Sequence, residues 1–184
     1  MMNFIRSVVA LLLAVTVAGA ADTYKIDPAH TGVGFSISHL VISEVNGRFD
    51  DVAGEIVAES NVLVSAKATI QTKSIDTAIK KRDEHLRSPD FFDADKYPTI
   101  TFESTKVEKN QITGNFTMHG VTKEITIPFK LKGPIKDPWG NTRIAITAET
   151  EINRTDYGMK PFTGVGDEVT IRIAVEATKP EEKK

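Results

Sequence analysis

QITGNFTMHGVTKEITIPFKLK, residues 111–132, decides how the rest of the chain is read. Ile112, Gly114, Phe116 and Met118 alternate with Thr113, Asn115, Thr117 and His119. After a turn at His119-Gly120, Ile125, Ile127, Phe129 and Leu131 alternate with Thr126, Pro128, Lys130 and Lys132. Successive side chains of a strand point to opposite faces, so a period of two means one apolar face and one wet face. The segment reads as two antiparallel strands of a one-sided sheet.

The same alternation recurs outward in both directions. It runs through Val33, Phe35 and Ile37; through Val64, Ala66, Ala68 and Ile70; and through Ile100 and Phe102. Beyond the hairpin it runs through Ile144, Ile146, Ala148 and Ile152, then Val169, Ile171, Ile173 and Val175. Residues 47–58 carry Phe49, Val52, Ile56 and Val57 less regularly and read as a strand bent or bulged near Gly54. Lys109-Asn110 and Asp137-Pro138-Trp139-Gly140-Asn141 supply further turns. The expectation is about eight antiparallel strands. With one short helix available, the strands must cover one another, as a sandwich or as a closed barrel. An eight-stranded barrel is just wide enough for one small ligand. Small residues in the inward set (Gly114, Ala66, Ala68, Ala145 or Ala148) leave room, but alternation alone does not separate a filled interior from a hollow one.

Residues 1–20 carry Arg6, an apolar run from Val8 to Val17, and Ala18-Gly19-Ala20. This is the layout of a cleaved secretory signal peptide, and the run is short for a bilayer span. A mature chain starting at Ala21, exported to the periplasm or secreted, is expected. Residues 21–178 then form one domain, and 179–184 a disordered charged tail. The net charge of −2 offers no clustered basic excess for nucleic acid. With no cysteine, disulfides, thiol catalysis and thiolate metal sites are excluded.

The least regular stretch is RDEHLRSPDFFDADKYPTITF, residues 82–102. A short helix is expected near residues 77–87, with Asp76 or Thr77 as N-cap and Pro89 past its end. Ile79, Arg82, Asp83 and Leu86 share one face of it. In one reading Arg82 pairs with Asp83 or another carboxylate; in another these charges stand at a cavity mouth. The four histidines, His30, His39, His85 and His119, lack zinc spacing, so no metal or other cofactor is expected. Asp83, Glu84, His85 and Ser88 are ingredients for catalysis, but neighbours on a helix diverge by about 100°. No nucleophile elbow or phosphate loop accompanies them.

Tyr24-Lys25-Ile26-Asp27-Pro28-Ala29-His30-Thr31, Arg82-Asp83-Glu84-His85-Leu86-Arg87-Ser88-Pro89-Asp90-Phe91-Phe92, Lys96-Tyr97-Pro98, Gly120-Val121-Thr122-Lys123 and Asp137-Pro138-Trp139-Gly140 occur in this order. Together they resemble the YceI-like family of polyisoprenoid-binding, lipocalin-like proteins. The resemblance implies an all-β fold: an extended eight-stranded antiparallel lipocalin-like β-barrel around a long hydrophobic cavity, with no agreed catalytic activity. It implies a carrier of a long-chain apolar lipid (polyisoprenoid, isoprenoid quinone or fatty amide) and a link to stress responses.

On that reading Phe35, Ile37, Phe49, Ile100, Phe102, Phe116, Met118, Ile127, Phe129 and Ile146 line the cavity. His39, Arg82, Asp83 and His85 meet a polar head at the rim, while Leu86, Phe91, Phe92, Met159 and Phe162 belong to rim and lid. The other readings are an enzyme acting on a barrel-bound lipid and a stress-related interaction protein with a filled barrel. The sequence is compatible with a homodimer that shares an edge or the open rim.

Overall fold

The computed structural model describes residues 20–180. Residues 1–19 of the expected signal segment and 181–184 of the expected tail lie outside the described residues. Among the described residues eleven strands are formed: β1 (Asp22–Ile26), β2 (Gly32–His39), β3 (Ser43–Phe49), β4 (Val52–Glu59), β5 (Val62–Gln71), β6 (Ile75–Asp76), β7 (Thr99–Glu108), β8 (Gln111–Met118), β9 (Val121–Lys136), β10 (Thr142–Asn153) and β11 (Val165–Lys179). One α-helix, α1 (Lys80–Arg87), follows β6.

The strands close an eight-stranded antiparallel barrel. β1 and β2 act as one stave interrupted by the short turn Pro28–His30, and β3 and β4 as a second, interrupted at Asp50-Asp51. The remaining staves are β5, β7, β8, β9, β10 and β11 in order. β11 closes the ring by pairing with both halves of the first stave: Ile171 lies opposite Phe35, and Ala177 opposite Ile26. β6 extends the β3 edge, with Ile75 opposite Phe49.

The hairpin of residues 111–132 forms with Met118 opposite Val121, turning through the left-handed conformations of His119 (φ 52) and Gly120 (φ 77). Two local readings are corrected. The second stave bends at Asp50-Asp51, where the backbone is held by Asp50 N–H to Ser74 O and Gln71 N–H to Asp51 O, and not at Gly54. Gly54 instead lets two strands approach, since a Cβ there would lie 2.1 Å from Lys67 O. Val64 faces outward and Leu63 inward, because the β4–β5 register shifts at Val57/Ala58.

The barrel has two unlike ends. Tyr24, Ile144, Ala58 and Ala177, all fully buried, plug one. Outside that plug, Arg143 donates to Asp27 (2.8 Å), Glu176 (2.8 Å) and Asp137 (3.3 Å). Lys179, expected in the tail, is the last residue of β11 and pairs with Asp22. The other end is crossed by α1, the loop of residues 88–98 and the loop of residues 154–164.

Candidate functional site: an apolar cavity under a helical strap

Between plug and strap lies a cavity of about 210 Å³, taken as room for the centre of a water-sized sphere. One water needs only about 10–15 Å³ by that measure, so the interior is hollow. Apolar side chains form its surface; among the described residues Lys67, Thr150 and Arg154 also border it without turning a polar atom to the space. Among the described residues, no carboxylate or imidazole stands in its wall.

Phe35, Ile37, Phe49, Ile100, Phe102, Phe116, Met118, Ile127, Phe129 and Ile146 are brought together in this wall. Ala66, Ala68 and Ala148 stand there too and keep it wide. Two of the small residues act differently. At Gly114 a Cβ would lie 2.6 Å from the Phe102 ring, so the ring occupies that space. Ala145 falls out of phase with Ile144 and Ile146, on the outer face.

The strap is built from the irregular patch. α1 starts later than expected, with Ile79 in the N-cap position and no side-chain cap. Ala78 has φ 63, which keeps Thr77 outside the helix. Asp83 reaches back from the helix to Thr77, accepting from its N–H (2.8 Å) and its hydroxyl (2.5 Å). Arg82 donates to the Thr77 hydroxyl (2.7 Å) and carbonyl (2.8 Å), so it has this partner rather than a carboxylate. Arg87 donates to Lys73 O (2.8 Å) and Ile75 O (2.6 Å), tying the helix end to β6. Phe92 N–H and Ala94 N–H take the Leu86 and Arg87 carbonyls, which satisfies the end of the helix.

The apolar members of the patch turn inward. Leu86, Phe91, Phe92 and Met159 reach the cavity wall. Phe92 meets Phe49 edge to face at 5.7 Å. His39, Arg82, Asp83, His85 and Phe162 do not stand in the wall. Arg82 and Asp83 are spent on Thr77. His85 lies outside, its Nε2 3.1 Å from Asp90 and its ring against Phe91 and Phe162. His39 is the last residue of β2, opposite Val165. Phe162 packs on Phe91 at 5.1 Å from the outer side. On a helix only one face looks down, and Leu86 takes it.

Sequence reasoning missed Arg154. It is buried and borders the cavity. It donates to Gly166 O (2.8 Å) and Lys160 O (2.6 Å) and pairs with Asp167 (2.8 Å), which fixes the loop bearing Met159. Its place after the apolar run ending at Ile152 carried no signal. Nearby, burial and then Asp156 push the Tyr157 hydroxyl above the usual phenol range, and its ring meets Phe116 at 5.4 Å. Among the described residues, no group of three His, Asp or Glu is placed to hold a metal ion. None of their helices is long and apolar enough to cross a membrane.

Comparison with known proteins gives a consistent picture. The model of the YceI-like domain matches residues 24–177. A UPF0312 protein of Vibrio vulnificus strain YJ016 is 37% identical over 186 residues, covering 96% of this chain and 98% of that one. The crystal structure of Burkholderia cenocepacia BcnA superposes with a TM-score of 0.73 at 22% identity, over 83% of this chain and 99% of that one. A polyisoprenoid binding domain from Saccharophagus degradans superposes with a TM-score of 0.67 at 17% identity, over 85% and 98%.

Proposed function

The chain belongs to the YceI-like family, and from that premise we propose that it is an exported carrier of a long-chain apolar lipid held inside the barrel. The observation that carries this reading is the hollow, wholly apolar interior. Burying about 300 Å² of hydrocarbon yields roughly 7.5 kcal/mol at 25 cal/mol per Å², before the entropic costs of association. Affinity of that origin needs no polar contact, and the wall supplies none. The Saccharophagus degradans neighbour is a polyisoprenoid binding domain, and a polyisoprenoid is a ligand of the chemistry this cavity suits. The apolar run and Ala18-x-Ala20 support export.

Binding rather than chemistry is favoured because an enzyme needs a titratable group within hydrogen-bond reach of the reacting atom. Among the described residues the cavity wall holds neither carboxylate nor imidazole, and of its two basic members, Lys67 and Arg154, the latter is engaged by Gly166 O, Lys160 O and Asp167. The test is organic extraction of purified protein followed by mass spectrometry, then delipidation and rebinding of a polyprenol and a quinone. A bound or rebound long-chain lipid, recovered chemically unchanged, is expected. Protein that neither carries nor rebinds any such lipid overturns the reading, and lipid recovered as a new product replaces it with an enzyme.

A further inference from the structure

The β2–β3 hairpin tip is built against local preference. Leu40 and Val41 have φ values of 53° and 62°, where Asn-Gly or Asp-Gly costs least and a β-branched residue is strained. Yet Val41 is 96% exposed, Ile42 86% and Leu40 56%. Leu40 rests partly on Gly164, but Val41 and Ile42 stand in water and gain little from the fold itself.

The tip stands at the strap end of the barrel. Leu40 N–H donates to Gly164 O (2.7 Å). Phe162 bridges to Val165, which lies in the cavity wall. Phe162 and Ile79 add exposed apolar surface to the same rim. Lys80 and Lys81 on α1 and Lys160 on the mouth loop are exposed on the elements that cross this end. Glu44 and Glu84 are exposed there too, while Asp90 is engaged by His85.

We propose that this rim docks on an anionic phospholipid bilayer, with Val41 and Ile42 entering the interface and the lysines meeting headgroup phosphates. Apolar burial combined with electrostatic attraction is what holds a peripheral protein at such a surface. The geometry puts the mouth of the cavity against the membrane, so a lipid moves between bilayer and barrel without crossing water. The proposal draws its purpose from the carrier reading, but docking is measured separately.

The experiment is flotation of the purified protein with vesicles of phosphatidylglycerol and phosphatidylethanolamine, and with phosphatidylcholine alone. N-phenyl-1-naphthylamine fluorescence reports the cavity in solution. Wild type is expected to float with the anionic vesicles and more weakly with the neutral ones. Val41→Asp with Ile42→Asp should weaken flotation about tenfold or more and leave dye binding intact, since Asp tolerates the left-handed conformation. Lys80→Glu with Lys81→Glu should weaken it and flatten its salt dependence. Trp139→Ala, at the β9–β10 tip on the plugged end, should change nothing. Wild type that binds dye but does not float overturns docking and spares the carrier reading. Flotation of delipidated protein that binds no dye supports docking and removes that reading. Undiminished flotation of the tip variant overturns the proposal, as does its loss in Trp139→Ala. So does a lipid-free dimer that the tip variant dissociates, because a second copy then covers the rim.

Discussion

Asp83 and Thr77 are joined twice: one carboxylate oxygen of Asp83 accepts both the N–H and the hydroxyl of Thr77. The pair is buried and anchors the strap helix to the segment leaving β6. An unfilled backbone donor away from water costs about 1–3 kcal/mol. Asp83→Ala is therefore expected to lower stability by about 2–3 kcal/mol in urea unfolding. Asp83→Asn, whose amide oxygen can still accept both bonds but carries no charge, should lose less. Equal losses in the two variants would show that the carboxylate is not the tie.

The plugged end predicts an acid response. Hydrogen bonds from Arg143, then His30, hold the Asp27 carboxyl down at about 2, from an ordinary 3.8. A carboxylate depressed in the folded state contributes stability above its unfolded pKa, and that contribution is lost as pH falls through the folded one. The window is therefore about pH 4 down to pH 2. Asp27→Asn should lower the melting temperature near neutral pH and shrink the wild-type decline across that window. An unchanged decline in Asp27→Asn would assign it to other carboxylates.

The barrel interior was legible because alternation is strict where a strand faces hydrocarbon on one side and water on the other. Phe116 and Met118, or Ile127 and Phe129, could not be in phase and point apart. Legibility failed where one extra residue entered a strand, as at Val64, and where a backbone bend was set by partners distant in sequence, as at Asp50 and Ser74. It failed again in the strap. Helical spacing puts Arg82, Asp83 and Leu86 on one face, but does not say that two of them will be consumed by Thr77. Arg154 was out of reach for the same reason: its partners are carbonyls of Lys160 and Gly166, and a carbonyl leaves no mark in a sequence.

Arg154 provides a test of how the mouth is held. Its guanidinium ties Lys160 O, Gly166 O and Asp167, and these bonds to a charged donor are each worth about 1.5–3 kcal/mol at most. Arg154→Met keeps the apolar stem and removes the donors. The expected outcome is a loss of about 2–3 kcal/mol and faster amide exchange confined to residues 158–166. Uniformly faster exchange across the barrel would mean that Arg154 supports the whole fold and not the mouth loop.

The sharpest test of the hollow interior is to fill it. Ala148 lies on β10 opposite Phe129 and Ile173, in the cavity wall. Ala145, three residues earlier, pairs with Lys132 and Glu176 on the outer face. Ala148→Phe places a ring in vacant space, so the lipid-free melting temperature should hold or rise, in contrast to the strain of overpacking a solid core. Apolar dye or polyprenol binding should fall about tenfold or more, and with it the stabilisation that lipid confers on the folded state. Ala145→Phe should leave binding unchanged. If Ala148→Phe binds lipid as the wild type does, the cargo lies elsewhere. If it unfolds while Ala145→Phe does not, the wall at this height is already filled.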